Sequence, residues 1–574
     1  MFSKPEPEGL SRVVTAWFVS VVLLLGLAAM PEISGAQEER LEQSVSRETW
    51  RSTEATQLRR AQFMDIVKTM ASPAFAGRAP GTQGGQLTTD FLEQQFEAAG
   101  LVPVNGQDSY LQTVRLTRYR TQATLSVTAN GADSATLIPA TQFVAWSSRP
   151  QAEMSLQGQP VFAGYGIQAP EFDWDDYQDL DVTGKIVLML IGDPPSDDPA
   201  WFDGKSMSRH GRWDDKLALA ASHGAAAVVL IHDAAAAGYP FSAVANTFGQ
   251  QRINLSDQNA ARKEPPLCIW ISANGAEAML NNTPNRLDAL RLIARAGSQA
   301  ARPGITARLQ VNAKTQHEDF ISFNVAGQLP GTPEPGADSA PVALVAHWDH
   351  LGAIFDKRTG KATGYFPGAA DNAAGVAQML DVARQLATRE PRQRPVVFVS
   401  PTAEESGLLG ARYYVRSFGT APNPDKPVAA LNIDVPNLFG RAQDVEVIAL
   451  GMSSLDHTLS TVARDMQRRI SPDYAPAIGR LYRSDQFEFI RHGIPAVWIR
   501  GGRKARTFSL STPLRQIKQY LRDGYHQSGD TVRPWWQLDA VLEDANLIAE
   551  VMQRLANDNN PPEFNPGSPY ANKP

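Results

Sequence analysis

At 574 residues the chain is too long for one ordinary hydrophobic core, so two domains plus tails are expected. Its 43% hydrophobic and 20% charged residues suit a globular protein, and a formal net charge of -6 gives no electrostatic case for nucleic acid, which needs a basic face. A single cysteine, Cys268 in the apolar run PLCIWI, excludes an intrachain disulfide and reads as a small buried hydrophobe.

Residues 13–30 form an apolar run, and Ser34-Gly35-Ala36 place small residues where signal peptidase requires them before Gln37. Residues 1–36 therefore read as a signal peptide, giving a secreted or periplasmic chain with no stable membrane association once the leader is cut. The competing reading is an uncleaved anchor, because the run approaches the length of a bilayer span. A polar stretch from Gln37 to about Ala71 reads as helical. The turn-rich FAGRAPGTQGGQL then leads into a helix, LTTDFLEQQFEAAGL, that sets Leu87, Phe91, Leu92 and Phe96 on one side and stops at Gly100. A strand around SYLQTVRL completes the N-terminal part of the main domain, 37–155.

From 156 to 300 the pattern restarts: VFAGYGI, GKIVLMLIG, AAAVVLIHD and LCIWIS read as short strands, with a helix near DDKLALAASHG. This is expected to be a smaller β-rich α/β insert, with RAGSQAARPGITA as the linker back; the alternative is that its strands continue the main sheet. In 301–558, strands such as PVALVAH, PVVFVSP, VAALNID and IPAVWIR alternate with amphipathic helices, among them 373–386 and LDAVLEDANLIAEVMQRLA. The fold class is α/β, with a mostly parallel central sheet flanked by helices. The tail 559–574 has little to bury and is expected to be disordered.

Five short segments carry the chemistry: AHWDH (His347, Asp349), AADN (Asp371), TAEESG (Glu404, Glu405), LNIDV (Asp434) and YHQSGDT (His526). Three follow apolar strands directly, and in open α/β sheets ligands collect beyond the carboxyl ends of strands. Two imidazoles with this many carboxylates are what a pair of metal ions needs: a His at each ion, a carboxylate between them, one more on each, and an acid left to move protons. Each residue also has a plainer local reading. HxD alone is often a surface pair, and Asp371 is suited to capping the helix that follows it. Glu404 and Glu405 could be a solvated loop pair, Asp434 a loop acid, and His526 a loop histidine bonded to Asp530. Asp349, two residues from His347, is placed to accept that ring's other N–H. One of the two glutamates would coordinate while the other acts as base. His350 has a smaller claim on the site, and the remaining histidines none.

HWDHLG, AADNAAG, TAEESGLLGARYYV, LNID, YRSDQFEF and YHQSGDT, with the early GRAPGT, together resemble the cocatalytic zinc aminopeptidases related to glutamate carboxypeptidase. The likeness covers most of residues 65–555, and the insert is similar to a protease-associated domain. The resemblance implies two Zn2+ per chain: His347, Asp371 and Asp434 on one, and Asp371, Glu405 and His526 on the other. It also implies Glu404 as general base and Asp349 as the acid orienting His347. Two departures stand out, Gln486 where relatives often carry histidine, and Val435-Pro436-Asn437 after Asp434; both bear on the substrate pocket.

The expectation is an aminopeptidase acting on peptide substrates. Its rivals are a metallocarboxypeptidase, with Arg483 and Arg500 as candidates to hold a substrate carboxylate, and a receptor-like relative without catalysis. Oligomeric state is left open.

Overall fold

The computed structural model describes residues 54–128, 134–149, 153–257, 263–280, 287–297, 304–334, 339–356, 359–389, 392–506 and 511–571. The proposed leader and the first part of the 37–71 stretch lie outside these residues. Three buried runs, VVFVS, VALV and AALNI, and a fourth, AVWIRG, buried over its first four residues, lie side by side as parallel strands in the order Val396–Ser400, Val342–Val345, Ala429–Ile433 and Ala496–Gly501. Because successive residues point to opposite faces, Val342 and Leu344 meet the helices Ala374–Ala387 and Leu538–Asn557 in one core. Ala343 and Val345 share the other core with Leu408, Phe487 and Ile490.

The sheet is parallel at this centre and mixed at its edges. Asp444–Ile448 runs antiparallel to Ala496–Gly501, and Arg308–Leu329 antiparallel to Val396–Ser400. Arg308–Leu329 and Leu111–Thr128 are far longer than the expected SFNVAGQL and SYLQTVRL, and pair along the whole of Leu111–Thr128. Inward Leu309, Val311 and Ala313 alternate with outward Gln310, Asn312 and Lys314, a half-buried strand pattern just after the expected linker. The far half of this ribbon packs Leu125, Val127, Leu309 and Val311 into a second core.

That core covers one face of a separate five-stranded sheet, ordered Phe143–Trp146, Leu267–Ile271, Ala227–Ile231, Ile186–Leu190 and Val161–Phe162. The sheet takes Phe143–Trp146 from upstream of residue 156, while Arg252–Leu255 leaves this region to pair with Leu111–Thr128 in the large sheet. Cys268 is 1% exposed within the sheet's middle strands. Among the described residues no helix is long and apolar enough to cross a membrane.

The expectation of a disordered tail is corrected over the described residues 559–571. Ser454 and Glu563 exchange hydrogen bonds of 2.9 and 3.0 Å, Asn565 N–H donates to Met452 O at 2.9 Å, and Tyr570 is buried edge-on against Phe487. Phe564 and Tyr570 supply apolar anchors that the polar composition around them conceals. Tyr570→Ala is expected to lower the stability of the domain by about 2 kcal/mol, the value of burying such a side chain; an unchanged urea midpoint would show the tail to be only resting on the surface.

Candidate metal centre

The carboxyl ends of three adjacent parallel strands deliver most of the candidate residues. His347 and Asp349 follow Val342–Val345, Glu404 and Glu405 follow Val396–Ser400, and Asp434 follows Ala429–Ile433. Asp371 comes from the turn before helix Ala374–Ala387, and His526 from the turn after helix Ser511–Asp523. All seven converge, and all are buried except Glu405, whose side chain is nevertheless only 6% exposed.

Asp371 sits at the middle. Its Oδ1 lies 3.4 Å from His347 Nε2 and its Oδ2 3.4 Å from His526 Nε2. His347 Nε2 also faces Asp434 Oδ1 at 3.7 Å and Glu404 Oε2 at 3.9 Å, and His526 Nε2 faces Glu405 Oε2 at 2.9 Å. Ligand atoms each about 2.0–2.2 Å from one tetrahedral zinc stand roughly 3.3–3.6 Å from one another, and both separations from Asp371 to an imidazole are of that size. The helix-cap reading of Asp371 does not hold: the N-cap is Ala373 and no side chain caps the helix. Nor does His526 bond to Asp530, whose two carboxylate oxygens instead accept the N–H groups of Ala370 and Asp371 at 2.9 and 3.0 Å.

Other residues hold the loops in place. Arg78, from the GRAPGT element, is fully buried and donates to the carbonyls of Met70, Trp348, Pro367 and Gly368 at 2.6–2.9 Å, tying the His347 segment to the Asp371 turn. Gly368 has φ 58°, and a β-carbon there would lie 2.4 Å from Asp371 O and 2.6 Å from both Arg78 Nη2 and the His350 ring, so only glycine fits. Asn372 Nδ2 donates to Ile433 O at 2.9 Å, fastening the same turn to the strand that ends at Asp434. Asp349 accepts Glu404 N–H at 2.9 Å; His347 Nδ1 is 3.3 Å from the Asp349 carbonyl but 3.8 Å from its carboxylate, so the backbone of Asp349 is the nearer partner of that ring. His350 reaches the site too, with Nδ1 2.6 Å from Glu405 Oε1, and its position directly after HWD was the signal for it. Non-glycine residues here, among them Arg78, Ala403, Val435 and His526, have left-handed φ of 53°, 54°, 47° and 53°, a strain typical of backbone that a site requires.

The electrostatics call for positive charge. Burial pushes Asp349 and Asp530 up to about 7, Asp485 up to about 8, and Glu404 well above the carboxylate range. Burial opposes the Glu405 carboxylate as well, but His526 and His350 beside it draw it down to about 2. Asp371, Glu404, Glu405 and Asp434 concentrate four carboxylates, which two divalent cations would balance. His347 Nε2 and His350 Nε2 are buried with no hydrogen-bond partner, and His347, Asp371 and Asp434, or His350, Asp371 and Glu405, each offer ligand atoms close enough to share an ion. The donor set thus fits zinc, with His350 and His526 both presented at the second position.

A cleft with about 280 Å³ of room opens above these residues, walled by Phe439, Trp498 and Tyr520 on one side and by Tyr239, Phe248 and Trp270 of the second sheet's unit on the other. Val435, Pro436 and Asn437 line it, whereas buried Gln486 turns to Asn432 and Leu481 and does not. Arg78→Met would leave four carbonyls without their donor and is expected to cost at least about 3 kcal/mol and to reduce bound zinc; equal urea stability and zinc content in the variant would contradict this scaffold role.

Residues 324–552 match the description Peptidase family M28. A probable leucine aminopeptidase 2 of Aspergillus fumigatus is 29% identical over 272 residues, 45% of this chain and 49% of that protein, so the match spans about half of the relative's length. Its namesake in Aspergillus oryzae is 26% identical over 396 residues, covering 66% of this chain and 68% of that one. The aminopeptidase from Aneurinibacillus sp. strain AM-1 shares the fold, with a TM-score of 0.52 at 16% identity over 87% of this chain and 94% of that one. The segment 324–552, which holds every candidate residue from His347 to His526, thus carries the match to Peptidase family M28, and the likeness to the Aneurinibacillus protein is one of fold.

Proposed function

We propose that this chain is a secreted exopeptidase with two zinc ions that removes N-terminal residues from peptides. The observation that carries the reading is Asp371, whose two oxygens each face a different imidazole, as a carboxylate shared by two ions must. His347, Asp371 and Asp434 would hold one zinc, and Asp371, Glu405 and His526 the other, with His350 bonded to the far oxygen of Glu405. When bound, the zinc pair supplies Lewis acidity that makes a water nucleophilic at neutral pH and polarises the scissile carbonyl.

The chain's own residues do the rest. Glu404, on the cleft floor and fixed through its backbone by Asp349, accepts the proton of the attacking water and returns it to the leaving amine. The aromatic walls exclude water and confine a chain end, and the region 156–300, proposed as a protease-associated-like insert, narrows the approach so that short peptides enter and folded proteins do not. Secretion rests on the leader, 1–36.

Glu404→Gln is expected to keep its zinc while kcat falls by about 10²–10⁴-fold. Parental turnover in that variant would remove Glu404 from the base role. Chelation is expected to abolish hydrolysis and added zinc to restore it.

A carboxypeptidase reading has one observation behind it. Arg483 and Arg500 both line the cleft, Arg483 donating to the Ala237 carbonyl at 2.8 Å and lying over the Tyr239 ring, and Arg500 lying 3.9 Å from Glu446. Free-amine and N-blocked peptides decide between the two: the aminopeptidase reading requires that only the free-amine set is cleaved, and cleavage of blocked peptides from their carboxyl end would replace it.

A further inference from the structure

The ring of His526 has a second nitrogen, and its partner comes from the other side of the cleft. His526 Nδ1 lies 2.7 Å from Thr247 Oγ1, on the helix Phe241–Phe248 of the second sheet's unit. The Thr247 hydroxyl has one proton, and it is directed to Ala243 O at 2.9 Å, one turn back in its own helix. Its oxygen therefore meets His526 as an acceptor, and Nδ1 must carry the ring hydrogen. In the neutral imidazole that leaves Nε2 as a bare lone pair, aimed between Asp371 and Glu405. The same helix also fixes the backbone beneath the ring. Asn246 Nδ2 donates to His526 O at 2.8 Å and to Gln527 Oε1 at 3.0 Å, while Gln527 Nε2 donates to Ser242 Oγ at 2.9 Å. Tyr525 stacks on the ring with centroids 4.0 Å apart, packing against one face of the imidazole.

We infer that Thr247 is a positioning residue for the metal centre: by accepting the Nδ1 hydrogen of His526 it presents Nε2 to zinc, so that one of the two ion sites is completed by a side chain from outside the family-matched segment 324–552. This rests on the zinc reading above. It gives the second unit a role in holding metal as well as in walling the cleft. The other ligand histidine needs no such help, because His347 Nδ1 finds its acceptor locally in the Asp349 carbonyl at 3.3 Å.

The test uses the full chain as purified with its metal, in three forms: parental, Thr247→Val, which keeps the shape and loses the acceptor, and Thr247→Ser, which keeps the acceptor. Zinc affinity at each site is measured by competition with a chelator of known affinity. The parental protein should bind two zinc ions. Thr247→Val should weaken one of them by about 10–100-fold and leave the other unchanged, and Thr247→Ser should restore parental affinity. In peptide hydrolysis the valine variant should lose kcat at limiting zinc and recover it in excess zinc, with KM little changed. Unchanged affinity in Thr247→Val overturns the inference, and so does a serine variant as weak as the valine one. Thr247→Ala cuts the same hydrogen bond with less bulk; failure of both the valine and alanine variants to fold would assign Thr247 to packing and overturn it too. A parental protein that binds fewer than two zinc ions would instead defeat the dinuclear reading itself, which separates the two failures.

Discussion

Concentrated negative charge, removed from water, is the constraint on which the rest of this structure depends. Four carboxylates face one buried spot with imidazoles between them, and a desolvated carboxylate is tolerated only when protonated or closely paired with positive charge. The surrounding protein is organised to hold that cluster still. Arg78 spends its guanidinium on backbone carbonyls, so it braces the loops without neutralising the acids outright. Asp530 and Asn372 fasten the Asp371 turn from either side. Left-handed backbone at Ala403, Val435 and His526 costs on the order of 1–2 kcal/mol each and persists because these contacts over-determine it.

The central sheet explains why such a cluster can be built at all. Parallel strands end together at one rim, so residues far apart in sequence arrive side by side without burying an unpaired loop. What the sheet alone does not provide is the opposite wall of the cleft. That comes from the unit around the second sheet, which contributes Tyr239, Phe248 and Trp270 to the lining and Thr247 and Asn246 to His526. The site therefore belongs to both cores.

Much of this was legible in the chain. Continuous apolar strands followed at once by His347, Glu404 and Asp434 gave both the sheet and its rim, because burial on two faces and termination at a polar residue are local properties. The helix after Asp371 was read to within a residue at each end, since its apolar face recurs at helical spacing. What escaped was long-range or compositionally disguised. The outer half of Arg308–Leu329 alternates Leu, Val and Ala with polar residues, and its short inward side chains did not announce a strand beside a linker. Tyr570 and Phe564 were hidden by the Asn and Pro around them. Arg78 stood in a noticed element, yet nothing in its neighbours shows that the carbonyls of distant Trp348, Pro367 and Gly368 will meet it. The plainer alternative for His526, a bond to its near neighbour Asp530, fails because Asp530 serves the Asp371 turn instead. No periodicity links Thr247 to His526, 279 positions later, because their proximity is created only when the second unit closes over the rim.

The two-stranded ribbon Leu111–Thr128 and Arg308–Leu329 has a consequence for how the molecule is assembled. Everything between its strands, including Thr247, is synthesised before the ribbon's second strand exists, and His526 follows some two hundred residues after that strand. A nascent chain must therefore keep the helix Phe241–Phe248 waiting with its polar edge unmet until nearly the last turn of the main sheet is in place. The loop-closure entropy of such distant pairings has to be met before they return any stabilisation, which makes completion of the centre a late event. Ion capture would then act as a seal on a finished fold, and its absence would mark chains that stopped short.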